Sequence, residues 1–207
     1  MEPFTTLTAV ACPIPWVDVD TDRIVPARFM STPRSEGYGQ FLFHDFRRTR
    51  DGKLSMTHPL DRPERKGAQI IVAKRNFGCG SSREAAVYAL VDFGIRCVIA
   101  PSFGEIFAGN ALSNGLLAAR VTEQQAEDLL DELAAGGRDL TVDLEMRTIS
   151  NGRGPIRFDI DPAARLRLLN GWDDVAMTLS FSEQIAAFQA RDAAARGWAR
   201  PVADRGG

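Results

Sequence analysis

Between residues 68 and 121 the chain alternates short apolar runs with amphipathic segments: "AQIIVAKR", "SSREAAVYALVDFG", "IRCVIAP", "SFGEIFAGNALSNG" and "LLAARV". Apolar runs without polar alternation fit strands buried on both faces, and Gly94 and Gly115 stop the two helical segments between them. Parallel neighbours need a crossover connection, so this rhythm specifies βαβαβ units and a parallel sheet with packed helices. The fold class is α/β.

The flanks carry other rhythms. "FTTLTAVACPIP" is Thr- and Val-rich and reads as a strand ended by Pro13 and Pro15. "VDVDTDRIVPARFM" is a turn-rich acidic segment. Residues 31–67 mix Gly, Pro, charge and aromatics without a sustained period, which predicts long loops around one short helix near 41–46. So long an irregular stretch in a compact domain is functional or mobile. Thr122 with Gln125 signals a capped helix ended by Gly136 and Gly137. Val142, Leu144 and Met146 then alternate with Asp143, Glu145 and Arg147, "NGRG" turns, and alternation resumes through Ile156, Phe158 and Ile160. That predicts an antiparallel hairpin with one wet face. Two amphipathic helices follow, "PAARLRLLNG" and "SFSEQIAAFQARDAAARG", the second with Ser180 and Glu183 as a capping box. Residues 199–207 read as a frayed tail. The expectation is one domain over residues 1–207.

Composition narrows the function classes. A 207-residue chain with 44% hydrophobic content suffices for one sizeable core. With 25 basic against 27 acidic residues, it lacks the excess that phosphate backbones reward, so no nucleic acid partner is expected. No apolar run approaches the roughly 18 to 20 residues of a membrane span, so no membrane partner is expected either. Cys12, Cys79 and Cys97 are odd in number, at unrelated spacings, and no secretory leader pattern opens the chain. This predicts reduced thiols and a cytoplasmic protein. These cysteines and His44 and His58 make no metal cage of recognisable spacing, so this chain is expected to hold no metal. Asp18, Asp20 and Asp22 repeat the opening of a calcium loop, but its sixth and twelfth places are Arg23 and Phe29. Solvated carboxylates in an Asx-type turn are expected there.

The segment most suggestive of chemistry is "GCGSSRE", residues 78–84, between the first buried strand and its helix. A helix start after a glycine-rich loop presents unpaired N–H groups and the positive end of its dipole, and so attracts anions. Gly78 and Gly80 permit close backbone approach, Ser81 and Ser82 add hydroxyls, and Arg83 adds a fork suited to a carboxylate. Ser81 with Glu84 also satisfies a capping box, which needs no ligand, and both readings stand on spacing alone. Arg83 stands where G-x-G-x-x-G needs glycine, and neither a P-loop nor G-x-S-x-G is matched. Cys79 as a nucleophile would need a basic partner, and both histidines lie in the irregular stretch of residues 31–67, so a small packed cysteine is favoured.

Taken together, "DVDTDRIVP", "GYGQFLFHDFR", "NFGCGSSRE", "IAPSFGEIFAGNALSNGLL" and "LLNGWDDVAMTL" resemble the small subunit of 3-isopropylmalate dehydratase, in one order from about Asp18 to Phe188. The resemblance implies a swivelling β/β/α fold like the C-terminal domain of aconitase, and a large-subunit partner carrying a [4Fe–4S] cluster. It implies isomerisation of 2-isopropylmalate to 3-isopropylmalate through isopropylmaleate, in leucine biosynthesis. By motif, Ser81 would take the carbon-bound proton, with Ser82 beside it, and Arg83 would hold a carboxylate of the small dicarboxylate substrate. Thr21 and Asp22 would line the same site, and residues 31–39, with Arg34 their only cation, fall at the family's substrate-recognition loop. The chain has Ala85 and Tyr88 where many members read "SSREHAPWAL". A paralogue acting on another branched or methylated malate, and a non-catalytic anion-binding module, are the alternative readings.

Overall fold

The computed structural model describes residues 1–49 and 51–199. Met1–Gly171 form one compact unit and a second begins at Trp172. The first is built on a seven-stranded sheet: β1 (Thr6–Ile14), β2 (Ile70–Ala73), β3 (Cys97–Ala100), β4 (Leu117–Arg120), β5 (Asp139–Asp143), β6 (Thr148–Ser150) and β7 (Pro155–Arg157). Their order is β4-β3-β2-β1-β5-β6-β7. The expected βαβαβ rhythm forms the parallel half, β1 to β4, with α3 (Glu84–Phe93) and α4 (Glu105–Ser113) as crossovers.

Period-2 geometry explains why β2 and β3 are apolar throughout. Ile71, Ala73 and Val98 pack with Leu90 of α3 and Phe107 of α4 on one face. Ile70, Val72, Cys97 and Ile99 pack with Leu129, Leu130 and Leu133 of α5 (Glu123–Ala134) on the other. Burying each such aliphatic side chain is worth about 1.5–3 kcal/mol. The Thr122 and Gln125 capping box opens α5 as the spacing predicts.

β1 occupies the hinge of the sheet. Residues 6–10 pair antiparallel with β5, and residues 11–14 pair parallel with β2. The Ala11 N–H donates to Arg138 O at 2.8 Å, on the β5 side. Two residues on, Pro13 turns its missing donor to that same side, where β5 has not yet begun, so proline costs no ladder bond there.

Two sequence expectations are corrected. The strand through residues 142–147 breaks: Leu144 is buried, but Arg147 takes a left-handed φ of 55° and Met146 is exposed, so β5 turns into β6 before "NGRG" turns β6 into β7. The result is a three-stranded meander in place of one hairpin. Ser180 ends α7 (Asp174–Ser180), donating to Met177 O at 2.6 Å, and α8 (Ser182–Ala195) starts without a side-chain cap, so the Ser180 and Glu183 box is not made. α6 (Pro162–Asn170), the first of the two predicted amphipathic helices, closes at Gly171 in the left-handed conformation. The tail, apart from Ala199, lies outside the described residues.

The irregular stretch is pinned by buried polar groups. α2 (His44–Arg47) and short 3-10 turns at Arg34–Glu36, Gly39–Phe41, Pro59–Asp61 and Pro63–Arg65 punctuate it. Arg47 grips Asp61 through Nε at 3.0 and 3.1 Å and Nη2 at 2.6 Å, with both side chains buried. Arg65, also buried, donates to Ala11 O at 2.9 Å, to Gly137 O at 2.7 Å and to Leu133 O. Its cation thus sits at the negative end of α5, which compensates a buried charge without a carboxylate.

His58 is 3% exposed, lies against Trp16 and Phe43, and accepts from Leu60 N–H at 3.2 Å through Nδ1. Burial pushes its pKa down to about 4, with nearby Asp61 opposing and Arg47 reinforcing the shift. The folded value lies below the unfolded one, so neutral His58 stabilises the fold fully above about pH 6.5. That contribution falls away as pH drops from there toward 4, by about 3 kcal/mol in all. Urea unfolding between pH 7.5 and 5 is expected to show this slope. A His58→Asn variant, which keeps an acceptor at the Nδ1 position, should flatten it, and an unchanged slope would exclude His58 as its source.

Candidate functional site

The loops after β1 and β2 meet at the carboxyl ends of the parallel strands, the edge where α/β folds hold ligands. Beyond the strand ends they continue side by side. Asp18 N–H donates to Arg75 O at 3.1 Å, Gly78 N–H to Val19 O at 2.7 Å and Thr21 N–H to Cys79 O at 2.9 Å. Asn76, with φ 64°, donates through Nδ2 to Asp18 Oδ1 at 2.8 Å, while its N–H reaches Ser102 Oγ at 2.9 Å in the loop after β3. Three loops are therefore lashed together.

Glycine is required where they touch. Gly78 has φ +73°, and a Cβ there would stand 2.2 Å from Cγ of Phe107. A Cβ on Gly104 would stand 2.4 Å from Gly78 O. Ser102 and Gly104 escaped the sequence reading because only the fold brings them beneath the Gly78 turn.

Around this turn the structure gathers five of the six sequence-predicted site residues. Thr21, buried at the start of α1 (Thr21–Ile24), donates its hydroxyl to Ser81 O at 3.0 Å. Arg83, whose side chain is 16% exposed, forms an ion pair with the exposed Asp22. Ser81 and Ser82 are exposed beside it. Asp20 caps α1 by accepting from Arg23 N–H at 2.7 Å, so the acidic turn is an Asx-type cap as its composition predicts. Asp20 is not among the predicted site residues, although Asp at the head of "DTDR" is an N-cap signal.

The Ser81 and Glu84 capping box is not made. Helix α3 begins at Glu84 with Arg83, extended at φ −121°, as its N-cap residue and no side-chain cap bond. No first-turn N–H of α3 donates to a side chain of the preceding turn, and Glu84 accepts from Asn114 Nδ2, at the end of α4, at 2.9 Å. The hydroxyl of Ser81 is thus not spent on capping, and the first-turn N–H groups of α3 keep the anion-attracting character of an uncapped helix start.

Arg34 does not join this cluster. Its Nη2 lies 3.1 Å from Asp92 Oδ1, and its guanidinium lies 3.5 Å from the ring centroid of Tyr88, both on α3. Burial, and then hydrogen bonding to Glu84, raises the Tyr88 phenol. Cys79 is half-buried, and burial, Asp20 and Asp18 push its thiol up. That environment disfavours the thiolate a nucleophile needs. Cys12 and Cys97 are fully buried. Among the described residues no group of three His, Cys, Asp or Glu side chains converges to hold a metal, and these residues do not fit an iron–sulfur cluster. No described helix is long and apolar enough to cross a membrane.

Residues 1–124 match the family described as aconitase C-terminal domain. A 3-isopropylmalate dehydratase small subunit of Paramagnetospirillum magneticum is 47% identical over 191 residues, covering 91% of this chain and 95% of its own. One from Dinoroseobacter shibae is 46% identical, covering 96% of this chain and all of its own. Among solved structures, a 3-isopropylmalate dehydratase from Methanocaldococcus jannaschii superposes with a TM-score of 0.61 at 27% identity, covering 90% of this chain and 99% of its own.

Proposed function

This chain belongs to the aconitase C-terminal domain family, among its 3-isopropylmalate dehydratase small subunits, and from that premise we propose how its site works. The chain is the small subunit of a hydro-lyase of leucine biosynthesis. With a large subunit it interconverts 2-isopropylmalate and 3-isopropylmalate through isopropylmaleate. The observation that carries the site assignment is the uncapped turn: Ser81 exposed and unspent on capping, next to Arg83 and the start of α3.

On this reading Arg83 and the first-turn N–H groups of α3 receive a substrate carboxylate. Ser81, as alkoxide, takes the carbon-bound proton during dehydration and returns it during rehydration. A serine is a weak base, so fixed positive potential from Arg83 and the helix start must favour its charged form in a site closed to water. Thr21 holds the Ser81 carbonyl, which fixes the turn, while Asp22 holds Arg83. Ser82 lines the site, and Arg34 with residues 31–39 recognises the distal part of the malate. A [4Fe–4S] cluster on the large subunit supplies Lewis acidity toward the departing hydroxyl. On this reading the pair is cytoplasmic and engages neither nucleic acid nor membrane.

The test is reconstitution. The purified chain alone should show no hydration of isopropylmaleate, and adding the large subunit should create it. A cluster-loaded pair inert toward isopropylmaleate, or stoichiometric iron and sulfide on the isolated chain, would refute the reading.

A further inference from the structure

Residues 31–39 are fastened to the flank of α3. One Asp92 oxygen accepts from Arg34 Nη2 at 3.1 Å and the other from Tyr38 N–H at 2.8 Å. One turn toward the helix start, Tyr88 lies under the Arg34 guanidinium at 3.5 Å and meets the Tyr38 ring edge-on at 5.9 Å. Tyr38 hydroxyl donates back to Thr32 O at 2.8 Å, closing the segment on itself. Gly39 presses on the helix backbone, where a Cβ would stand 2.8 Å from Asp92 C and O and Phe93 N. Asp92 and Tyr88 are four residues apart on one helix face, so a single stiff element carries both the fastening and, at its start, the Arg83 turn.

Tyr88 is four residues from Glu84, which places it about 6 Å along the axis from the helix start. On the dehydratase reading, residues 31–39 meet the distal part of a malate whose carboxylate sits at Arg83. We propose that Asp92 and Tyr88 are specificity-determining positioning residues: they hold residues 31–39 and Arg34 at a fixed height on α3, and so set the room left for the malate's alkyl group. The inference rests on the dehydratase reading above. Neither residue touches the reacting atoms; both act through Arg34 and Tyr38.

Two measurements test it. In the cluster-loaded complex, kcat and KM are determined for isopropylmaleate and methylmaleate. Asp92→Ala and Tyr88→Leu should each reduce the preference between the two by roughly tenfold, the scale of a displaced alkyl-pocket wall, mainly through KM. Tyr88→Phe keeps the ring face under Arg34 and should retain the wild-type ratio. In the isolated chain, hydrogen exchange of amides 31–39 should accelerate in Asp92→Ala while β2 and β3 stay protected. Wild-type preference in a folded Asp92→Ala complex, or unchanged exchange in that segment, would overturn the latch. If the wild-type pair turns over neither maleate, the dehydratase reading is what fails, and the exchange result still decides whether the fastening exists.

Discussion

Ser81→Ala in the assembled complex is expected to lower kcat by roughly 10²-fold or more, the scale of losing a positioned acid–base group. Because Ser81 does not cap α3, the change should cost little stability, and circular dichroism and cluster content should match wild type. This separates the structural and chemical roles that sequence spacing left entangled, since loss of a cap would cost about 0.5–2 kcal/mol and leave turnover intact. Arg83→Lys serves as its counterpart. It keeps the charge but loses the planar fork that spans Asp22 and an incoming carboxylate, so KM should rise more than kcat falls. A folded, cluster-loaded Ser81→Ala complex with near wild-type kcat would remove Ser81 from the chemistry.

Asp61→Ala is expected to destabilise Met1–Gly171 by about 3–5 kcal/mol, because it strands the Arg47 cation without a counter-charge. Arg47 lies 8% exposed under Leu42 O, which accepts from its Nη1 at 3.2 Å, and its guanidinium lies 4.7 Å from the Phe93 ring centroid. None of these neighbours carries the negative charge that Asp61 supplies at 2.6 Å. Replacing both partners with apolar residues of similar volume should recover much of the loss, since the pair also pays for its own desolvation. Urea unfolding of the isolated chain measures this directly. A loss under about 1 kcal/mol would mean that the pair behaves as a solvated surface bridge.

The parallel half of the fold was legible because its information is local. Unbroken apolar runs at residues 70–73 and 97–100, with a helix closed by Gly94 between, satisfy two-sided burial whatever surrounds them. The helix start at residues 78–84 was legible for the same reason: glycines, hydroxyls and an arginine next to one another define an anion-friendly turn before any folding is considered. The meander was misread because alternation does not report the left-handed Arg147 that breaks it, and arginine is not a residue that advertises positive φ.

By itself, then, the sequence determined the α/β class, the strand-turn-helix carrying Ser81 and Arg83, and the Thr122 cap. Each follows from residues a few positions apart, where backbone stereochemistry and side-chain period act directly. Only the tertiary structure decided that β1 lies between the parallel and antiparallel halves, that Thr21 ties down Ser81, and that Arg34 rests on Asp92 and Tyr88. It also decided between cap and free hydroxyl at Ser81. Helix α3 begins at Glu84 with Arg83 as its N-cap residue and no side-chain cap, Thr21, sixty residues away, holds the Ser81 carbonyl, and Asn114, thirty away, donates to Glu84; no local pattern encodes which distant groups the sheet will bring within reach.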